Sequence, residues 1–305
     1  MNKPRPCGCK GLRSCYICES EYNIIKSTNI NVEHGKYVYC HICDKAWPGW
    51  NPEDNSHENH FAQPIQYPGI FIKSDFLSET EENELVKCLD AMPWDSSQSG
   101  RRKQNFGPKC NFKKKKIRLG TFEGFPLKTQ FVQNKLQSIP IMKGFKTIEQ
   151  CSLEYNPERG ASIDPHIDDC WIWGERIVTV NLLADSVLTM TYNNKPHKYN
   201  LDCVKTYPSV LTENGSINVS GDNYNLKTSN CDNRPVVRIP MPRRSLLIMY
   251  GSARYDWEHQ ILREDVKTRR LCLAYREFTP PYLEFGAKYE EGKLILEKAK
   301  YFYDP

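Results

Sequence analysis

The amino-acid sequence predicts a mainly β fold, a sandwich or jelly roll, with flanking helices and a cysteine-rich N-terminal segment. One observation is that the apolar stretches after about residue 147 are short and bounded by Pro, Gly and Asn, as in antiparallel sandwiches. These stretches read "IEQCSLEY", "RIVTVNLL", "VLTMTY", "PVVRIPM", "RSLLIMYG" and "RRLCLAYREF". The other is that residues 1–60 hold six of the 13 cysteines and four of the seven histidines, with little apolar periodicity.

The composition is typical of a soluble globular protein, since the 305 residues are 39% hydrophobic and 26% charged. No apolar stretch approaches the roughly 18 residues that a membrane span needs. The start, "MNKPRPCGCKG", lacks the apolar region of a signal peptide. We therefore expect a cytoplasmic and nuclear protein with no membrane partner, in which cysteines serve as metal ligands or buried thiols rather than as disulfides.

The N-terminal head, residues 1–60, contains two sets of metal-ligating side chains. "CGCKGLRSCYIC" supplies Cys7, Cys9, Cys15 and Cys18, and four thiolates with a C-x-x-C hook can close a tetrahedral zinc site. Such a zinc ion would be structural, because protein ligands fill all four positions. The alternative is a set of free thiols in a disordered leader, although so small a segment would then have little to order it.

A second set follows in the same head. Cys40 and Cys43 are succeeded by His57 and His60, a rough C2H2 arrangement with a short spacing between the histidines. On the residues alone, zinc binding and its absence are equally favoured here.

Residues 61–146 precede the β-rich region and contain a strand in "YPGIFIKSDFL" and two helices. Ser78 and Glu81 form a capping box, after which Leu85, Leu89 and Met92 recur at helical spacing. "TQFVQNKLQSI" is the second predicted helix. The remaining divisions are a β core over 147–280 with a polar loop or hairpin inserted over 193–234, and a charged C-terminal helix over 281–305. The main domain is thus predicted to span 61–280.

One stretch of this extension is strongly basic, since Ser96 to Phe122 contains nine Lys or Arg and no Asp or Glu. Such a charge favours an acidic partner, either nucleic acid or an acidic protein surface. Cations alternate with rings that could stack on a flipped base or hold an acidic loop around a methyl-lysine, and a solvated basic face is the third interpretation. The residues concerned are Arg101, Arg102, Lys103, Phe106, Lys109 and Phe112.

The β core contains a candidate metal site. Alternate residues of a strand point to the same side, so His166 and Asp168 in "SIDPHIDDC" could bind one ion. His259, in "RYDWEHQI", would complete the set of two histidines and one carboxylate that holds Fe(II) in non-haem oxygenases. The alternative is an ordinary buried histidine at 259 and a simple turn at 166–168.

A candidate anion site lies further along the chain, in "RRLCLAYRE". Arg270 and Arg276 lie on one side of a predicted strand, and the residues between them on that side, Cys272 and Ala274, are small. The other side is apolar. A side that keeps two arginines above small residues has room for a carboxylate, which arginine can bind through two parallel hydrogen bonds.

The order of His166, Asp168, His259, Arg270 and Arg276 resembles the AlkB family of Fe(II)- and 2-oxoglutarate-dependent dioxygenases. The stretches "SQSGRRKQNFGPKCNF", "EQCSLEYNPERGASIDPHIDD" and "WIWGER" are similar to one animal branch of that family, as is "CGCKGLRSCYICE" in the head. The resemblance implies a double-stranded β-helix, in which the two histidines and the aspartate hold Fe(II).

The same resemblance assigns the cosubstrates, 2-oxoglutarate and O2. Arg270 would bind the distal carboxylate of 2-oxoglutarate, with Arg276 near its other end, and Tyr155 in "LEYNP" would also contact it. The family often has Asn two residues before this tyrosine, where this chain has Leu153, so one polar contact is in question.

The activity implied by the resemblance is oxidative removal of N-methyl groups as formaldehyde. The implied substrates are a monomethylated lysine of actin and N6-methyladenine in DNA, and the basic stretch would fold over them as a lid. The alternative from another functional class is a zinc-containing module that binds protein or nucleic acid through a non-catalytic jelly roll. The sequence does not distinguish the two substrates or specify an oligomeric state.

Overall fold

Two large β-sheets that pack face to face form the centre of the molecule. The computed structural model describes residues 5–25, 30, 32–194, 198–226 and 234–304. Each of the two sheets has seven strands, so the predicted jelly roll is confirmed. Among the described residues, no helix has both the length and the apolar character needed to cross a membrane.

The first sheet has the strand order β11-β16-β13-β14-β1-β2-β3 and the second β4-β15-β12-β17-β10-β6-β5. The strands are β1 (Lys36–Cys40), β2 (Lys45–Pro48), β3 (Ile65–Gln66), β4 (Ile70–Lys73), β5 (Asp95–Ser96), β6 (Arg102–Phe106), β7 (Lys109–Asn111), β8 (Lys116–Arg118), β9 (Phe125–Pro126), β10 (Glu149–Tyr155), β11 (Ile163–His166), β12 (Trp173–Leu182), β13 (Ser186–Tyr192), β14 (Val236–Met241), β15 (Leu246–Met249), β16 (Trp257–Ile261), β17 (Arg270–Phe278) and β18 (Phe302–Tyr303). The α-helices are α1 (Tyr16–Tyr22), α2 (Glu79–Ala91), α3 (Gln130–Gln137), α4 (Gly251–Tyr255) and α5 (Tyr289–Lys298).

Strand β17 shows how the sequence pattern separates two cores. Leu271, Leu273 and Tyr275 are fully buried in a cluster that packs the second sheet against α2 and α3. Burying a leucine side chain contributes roughly 2 kcal/mol, so this side fixes the strand against the helices. Cys272, on the opposite side, belongs to the cluster between the two sheets. The arginines of this strand therefore face the interior of the jelly roll.

The predicted helices are present, with one difference at the C-terminus. The α2 helix begins with the expected capping box, since Ser78 accepts from the Glu81 backbone N–H and the Glu81 carboxylate accepts from the Ser78 backbone N–H. The C-terminal helix α5 ends at Lys298, after which β18 pairs in parallel with β9. The expectation that the whole C-terminal segment is helical is corrected there, because the aromatic pair Phe302 and Phe125 packs at this short sheet.

The N-terminal head is joined to the jelly roll more closely than expected. Strand β1 pairs with β2 and also runs parallel to β14, so residues of the head extend the first sheet. Residues 5–25 form a small cysteine-bearing unit with α1 and contribute no strand to the sheets. A boundary at residue 60 therefore does not separate two independent cores.

The predicted insertion lies between β13 and β14, and its described part is folded. It contains a 3-10 helix over Leu201–Thr206 and two isolated bridges, Pro208 with Asn223 and Leu211 with Ile217. Val204 and Leu211 are buried. Residues 195–197 and 227–233 of the insertion lie outside the described part of the chain.

Candidate active site

Two histidines face each other on the pair of strands at one edge of the first sheet. His166 ends β11 and lies directly opposite His259 in the antiparallel pair of β11 with β16. Their ring centroids are 4.2 Å apart. The Nδ1–H of His166 donates to the Asp164 carbonyl at 2.8 Å, which leaves its Nε2 lone pair available to a metal.

Asp168 follows β11 and is buried, and Arg276 holds its carboxylate. The Nη2 of Arg276 lies 3.2 Å from Oδ1 and its Nε 3.4 Å from Oδ2. The side chain is thus oriented toward β17. Among the described residues, the groups whose donor atoms all lie within 4.8 Å of one another are the two clusters in the head. The donor atoms of His166, Asp168 and His259 are not gathered that closely.

The protonation states of these three groups suit a divalent cation. Burial lowers the pKa of both imidazoles, that of His259 most strongly because His166 lies beside it. Burial alone would raise the pKa of Asp168, but Arg276 together with the other positive groups around it, Arg254 among them, holds that pKa well below the usual range. At neutral pH the site therefore presents two neutral nitrogen ligands and one carboxylate, a donor set that fits Fe(II).

The inner side of β17 contains a buried guanidinium, that of Arg270, with an unsatisfied hydrogen-bond donor. Arg270 is 3% exposed, its Nε donates to the Asn181 Oδ1 at 2.7 Å, and its Nη1 has no hydrogen-bond partner. Its guanidinium lies 4.8 Å from the ring centroid of Tyr155, the residue opposite it in the pairing of β10 with β17. Since an unpartnered buried charge is costly, these residues fit a carboxylate such as that of 2-oxoglutarate.

Arg276 has different surroundings from Arg270. Besides Asp168, it contacts Glu149, with Nη1 2.6 Å from Oε2. Both ends of the guanidinium are therefore bound to carboxylates of the protein. In this structure Arg276 orients an acidic side chain at the predicted iron site.

Comparison with known proteins decides the family. No family model matches the sequence. The chain is 36% identical over 296 residues to "Alpha-ketoglutarate-dependent dioxygenase alkB homolog 4" of Mus musculus, covering 97% of this chain and 94% of the relative. This chain belongs to the AlkB family of 2-oxoglutarate-dependent dioxygenases. It is therefore an enzyme, and the family implies Fe(II), 2-oxoglutarate and O2 as its requirements.

Two further AlkB-type relatives span nearly the whole chain. The Homo sapiens protein of the same name is 36% identical over 299 residues, which is 98% of this chain and 94% of that protein. A "DNA N6-methyl adenine demethylase" of Caenorhabditis elegans is 32% identical over 302 residues, covering 93% of this chain and 91% of the relative. The family resemblance inferred from the motifs is confirmed.

The AlkB-family site includes one polar residue that the sequence analysis missed. Asn181 of β12 lies opposite Cys272 of β17, on the same side as Arg270. Besides accepting from Arg270, its amide donates to the carbonyls of Ala184 and Met241, both at 2.8 Å. The sequence signal that could have identified Asn181 is its position as a polar residue directly after the stretch "RIVTV". Leu153, where the family often has Asn, lies opposite Cys272 on the other neighbouring strand.

Two acidic residues near the iron ligands were also missed. Glu149 is 6% exposed at the start of β10 and faces Arg276 in the sheet register. Burial raises its pKa, although Arg276 opposes that effect. Burial also raises the pKa of Asp169, and the neighbouring Asp168 adds to it. The strand alternation from Tyr155 back to position 149 could have identified Glu149, since both lie on one side.

The predicted lid residues divide into groups with different surroundings. Arg102 is bound to the buried Glu154 through two hydrogen bonds of 2.6 and 2.7 Å, so its role is structural. Phe106 packs against both apolar clusters. Lys103 is only partly exposed in β6. All three residues belong to β6, an integral strand of the second sheet, and their assignment to a substrate lid stays a prediction.

Two of the remaining lid residues, Arg101 and Phe112, lie close to aromatic residues near the site. The guanidinium of Arg101 lies 5.9 Å from the ring centroid of Tyr155. Phe112, half exposed between β7 and β8, has its ring 6.4 Å from that of the buried Trp171. Lys109 is exposed in the same two-stranded hairpin, which spans residues 109–118.

Both predicted zinc clusters are assembled in this AlkB-family chain. The four sulfur atoms of Cys7, Cys9, Cys15 and Cys18 lie within 4.8 Å of one another. The donor atoms of the second cluster meet the same limit, with the two cysteines at the turn between β1 and β2. The second cluster consists of Cys40, Cys43, His57 and His60.

Proposed function

We propose that this AlkB-family dioxygenase is an oxidative demethylase that removes N-methyl groups as formaldehyde. Its Fe(II) ligands would be His166, Asp168 and His259. The observation that carries the proposal is the facing pair of His166 and His259 in a jelly roll that also buries Arg270, whose Nη1 has no hydrogen-bond partner. Bound Fe(II) and 2-oxoglutarate supply the oxidising chemistry, with O2 consumed and succinate released.

The protein's own residues would position the reactants. Arg270 would pair with the distal carboxylate of 2-oxoglutarate, with Tyr155 beside it, because that guanidinium has an open N–H in a buried place. Arg276 would be near the other end of the cosubstrate and would hold Asp168 in its ionised form, as its hydrogen bonds to that carboxylate indicate. The Asp164 carbonyl would fix the tautomer of His166.

The substrate that the surroundings favour is a monomethylated lysine in an actin-type protein. Its methylammonium group is a cation, and Glu149 and Asp169 place carboxylates close to Asp168. Phe112 offers a half-exposed ring next to Trp171, which follows Asp169 by two residues. Trp171, Trp173 and Trp257 are buried, so a pair of exposed tryptophan clamps for a flipped base is not available from them. A cytoplasmic and nuclear location would give access to such a partner.

Methylated DNA is the second candidate substrate. The relative from C. elegans is named for demethylation of N6-methyladenine. The hairpin over 109–118 supports the candidate, because Lys113 to Lys116 are all exposed and form a basic tip near the site. Such a tip would attract a phosphate backbone.

We also propose that each head cluster binds one structural zinc ion. The support is the mutual distance of the four donor atoms in each cluster, which suits a closed tetrahedral site. The apolar surroundings are sparse, since Cys9, Cys15 and Cys18 are themselves the buried centre of the first unit. A metal would replace the missing core.

The deciding experiment incubates the full chain with Fe(II), ascorbate, 2-oxoglutarate and O2, and measures formaldehyde and succinate. The substrates are a monomethyl-lysine peptide, an N6-methyladenine oligonucleotide and the unmethylated form of each. We expect methyl-dependent formaldehyde from the wild type and none from His166→Ala or Asp168→Ala. No formaldehyde from a folded, iron-loaded wild type on either substrate would overturn the demethylase proposal and favour a non-catalytic binding module.

A further inference from the structure

The four-cysteine cluster in the head touches the turn that leads into β6. The backbone N–H of Ser99 donates to the Cys9 sulfur at 3.1 Å. The Ser99 carbonyl accepts from the Ser162 backbone N–H at 3.0 Å, one residue before β11 begins. Ser99 is 1% exposed and adopts a φ of 54°, a conformation that a non-glycine residue keeps only when its surroundings impose it. The cluster is thus two hydrogen bonds away from the strand that ends at His166.

A second connection runs through Arg13, which lies in the sequence between Cys9 and Cys15, the second and third cysteines of the cluster. Its Nη1 donates to the Gln98 Oε1 at 2.7 Å, and its Nε lies 3.5 Å from the Asp164 Oδ2. Asp164 is the residue whose carbonyl accepts from the His166 Nδ1. The head therefore contacts the hydrogen-bond partner of a predicted iron ligand.

The same turn also carries Arg101. Its Nε donates to the Gln98 carbonyl at 3.1 Å, and its backbone carbonyl accepts from the Ser97 N–H at 3.0 Å. Its guanidinium lies above the ring of Tyr155, and Arg270 lies 4.8 Å from the centroid of that ring. Any displacement of the turn would therefore move a cation that packs on the proposed 2-oxoglutarate site.

We infer that the four-cysteine centre is a positioning element of the iron site, which acts through Ser99, Arg13 and Arg101. With its metal bound, the centre holds the 97–101 turn and the start of β11, and so maintains the orientation of His166 and the stacking on Tyr155. With the metal lost, the turn is released and the affinities for iron and 2-oxoglutarate fall. This inference rests on the proposed function, because it assigns a role relative to that site.

A purely structural anchor would give the head stability without this effect on the site. The two roles differ in what they change: an anchor changes the unfolding temperature, whereas a positioning element changes ligand affinity in a chain that stays folded. A substitution of Arg13 distinguishes the two roles, because its side chain is half exposed and is not one of the ligands that would hold the zinc ion. Removal of the Arg13 side chain deletes no cysteine of the cluster and no residue of the two apolar cores.

The test measures Mn(II) and 2-oxoglutarate dissociation constants anaerobically in full-length protein, together with zinc content and unfolding temperature. The variants are Arg13→Ala, Arg13→Lys, Cys9→Ser and the control Lys10→Ala, which removes an exposed charge from the same segment. Substitution of a residue that hydrogen-bonds to a metal-ligating histidine typically lowers metal affinity about tenfold or more. We expect both dissociation constants to rise about tenfold in Arg13→Ala and at least as much in Cys9→Ser. Arg13→Lys should restore part of the lost affinity. Lys10→Ala should keep the wild-type dissociation constants.

Wild-type affinities in both Arg13→Ala and zinc-depleted Cys9→Ser would overturn the inference, as would an equal loss in Lys10→Ala. Arg13→Ala stays informative if the Cys9→Ser head fails to fold. A wild type that binds neither Mn(II) nor 2-oxoglutarate would instead overturn the proposed function, so the two failures are distinguishable.

Discussion

The rings of His166 and His259 lie with centroids 4.2 Å apart across two paired strands. Burial lowers the pKa of each, so both are neutral near pH 7 and neither protonates to pair with Asp168. Two neutral imidazoles gain little from each other at this distance, whereas a divalent cation would bind both through lone pairs. This relationship underlies the predictions for the site.

Arg270→Ala should weaken 2-oxoglutarate binding and leave metal binding nearly unchanged. The substitution removes the guanidinium whose Nη1 is unpartnered but none of the proposed metal ligands. We expect the dissociation constant for 2-oxoglutarate to rise at least about tenfold, because the substitution removes one charge-assisted hydrogen-bonded pair. Calorimetric titration of the Mn(II)-loaded protein measures it, with exposed Lys267→Ala as the control. Equal loss of metal would show that the site is assigned wrongly.

Glu149→Gln should reduce the preference for a cationic substrate. The change removes a buried carboxylate beside Arg276 and Asp168. We expect the ratio of kcat/KM for a monomethyl-lysine peptide to that for an N6-methyladenine oligonucleotide to fall roughly tenfold, equivalent to about 1.4 kcal/mol. A general loss of activity would lower both kcat/KM values by the same factor and leave their ratio unchanged. Exposed Glu158→Gln is the matched control, and an unchanged ratio in Glu149→Gln would exclude this carboxylate from substrate recognition.

Glu175 should make the protein less stable as the pH rises. Burial raises the pKa of Glu175 from 4.5 to about 7, against the opposing effect of the hydrogen bond that the Val210 backbone N–H donates to its Oε2. The folded state therefore binds this proton more tightly than the unfolded state. The associated stability is fully present below pH 4.5 and is lost as the pH rises through about 7. Over that window the contribution amounts to roughly 3 kcal/mol.

Denaturant unfolding of wild type and Glu175→Gln across this pH range measures the effect. The difference between their free energies of unfolding should shift in favour of the variant as the pH rises. Glu264→Gln, at an exposed position, should follow the wild type. Parallel pH profiles for wild type and Glu175→Gln would contradict the prediction.

The full chain should contain two zinc ions. Substitution of a ligand in one cluster should remove the zinc ion of that cluster and leave the other in place. Cys15→Ser should retain one, because the second cluster is intact, and His60→Ala should retain one in the first cluster. Zinc content by mass spectrometry of the purified protein gives the count. Cys203→Ser, outside both clusters, should keep two. Limited proteolysis should cut residues 5–25 faster in Cys15→Ser, and unchanged zinc in that variant would remove the first site.

Part of the site was predictable because it depends on short-range periodicity. The alternation of "RRLCLAYRE" places both arginines on one side of a strand and the large apolar residues on the other, and the structure has that arrangement. The spacing of His166 and Asp168, and the capping box at Ser78 and Glu81, are local in the same sense. The cysteine spacing likewise predicted the first head cluster, whereas for the second set the residues alone favoured metal binding and its absence equally.

The sequence by itself thus determined the class of fold, the family and the identity of the candidate ligands. Only the tertiary structure decided which partners these residues meet: that Arg276 is bound to Asp168 and Glu149, that Asn181 holds Arg270, and that β1 joins the sheet through β14. Those contacts depend on the register between strands far apart in the chain. A register is set by the packing of whole sheets, and a one-residue slip would turn every side chain to the opposite face.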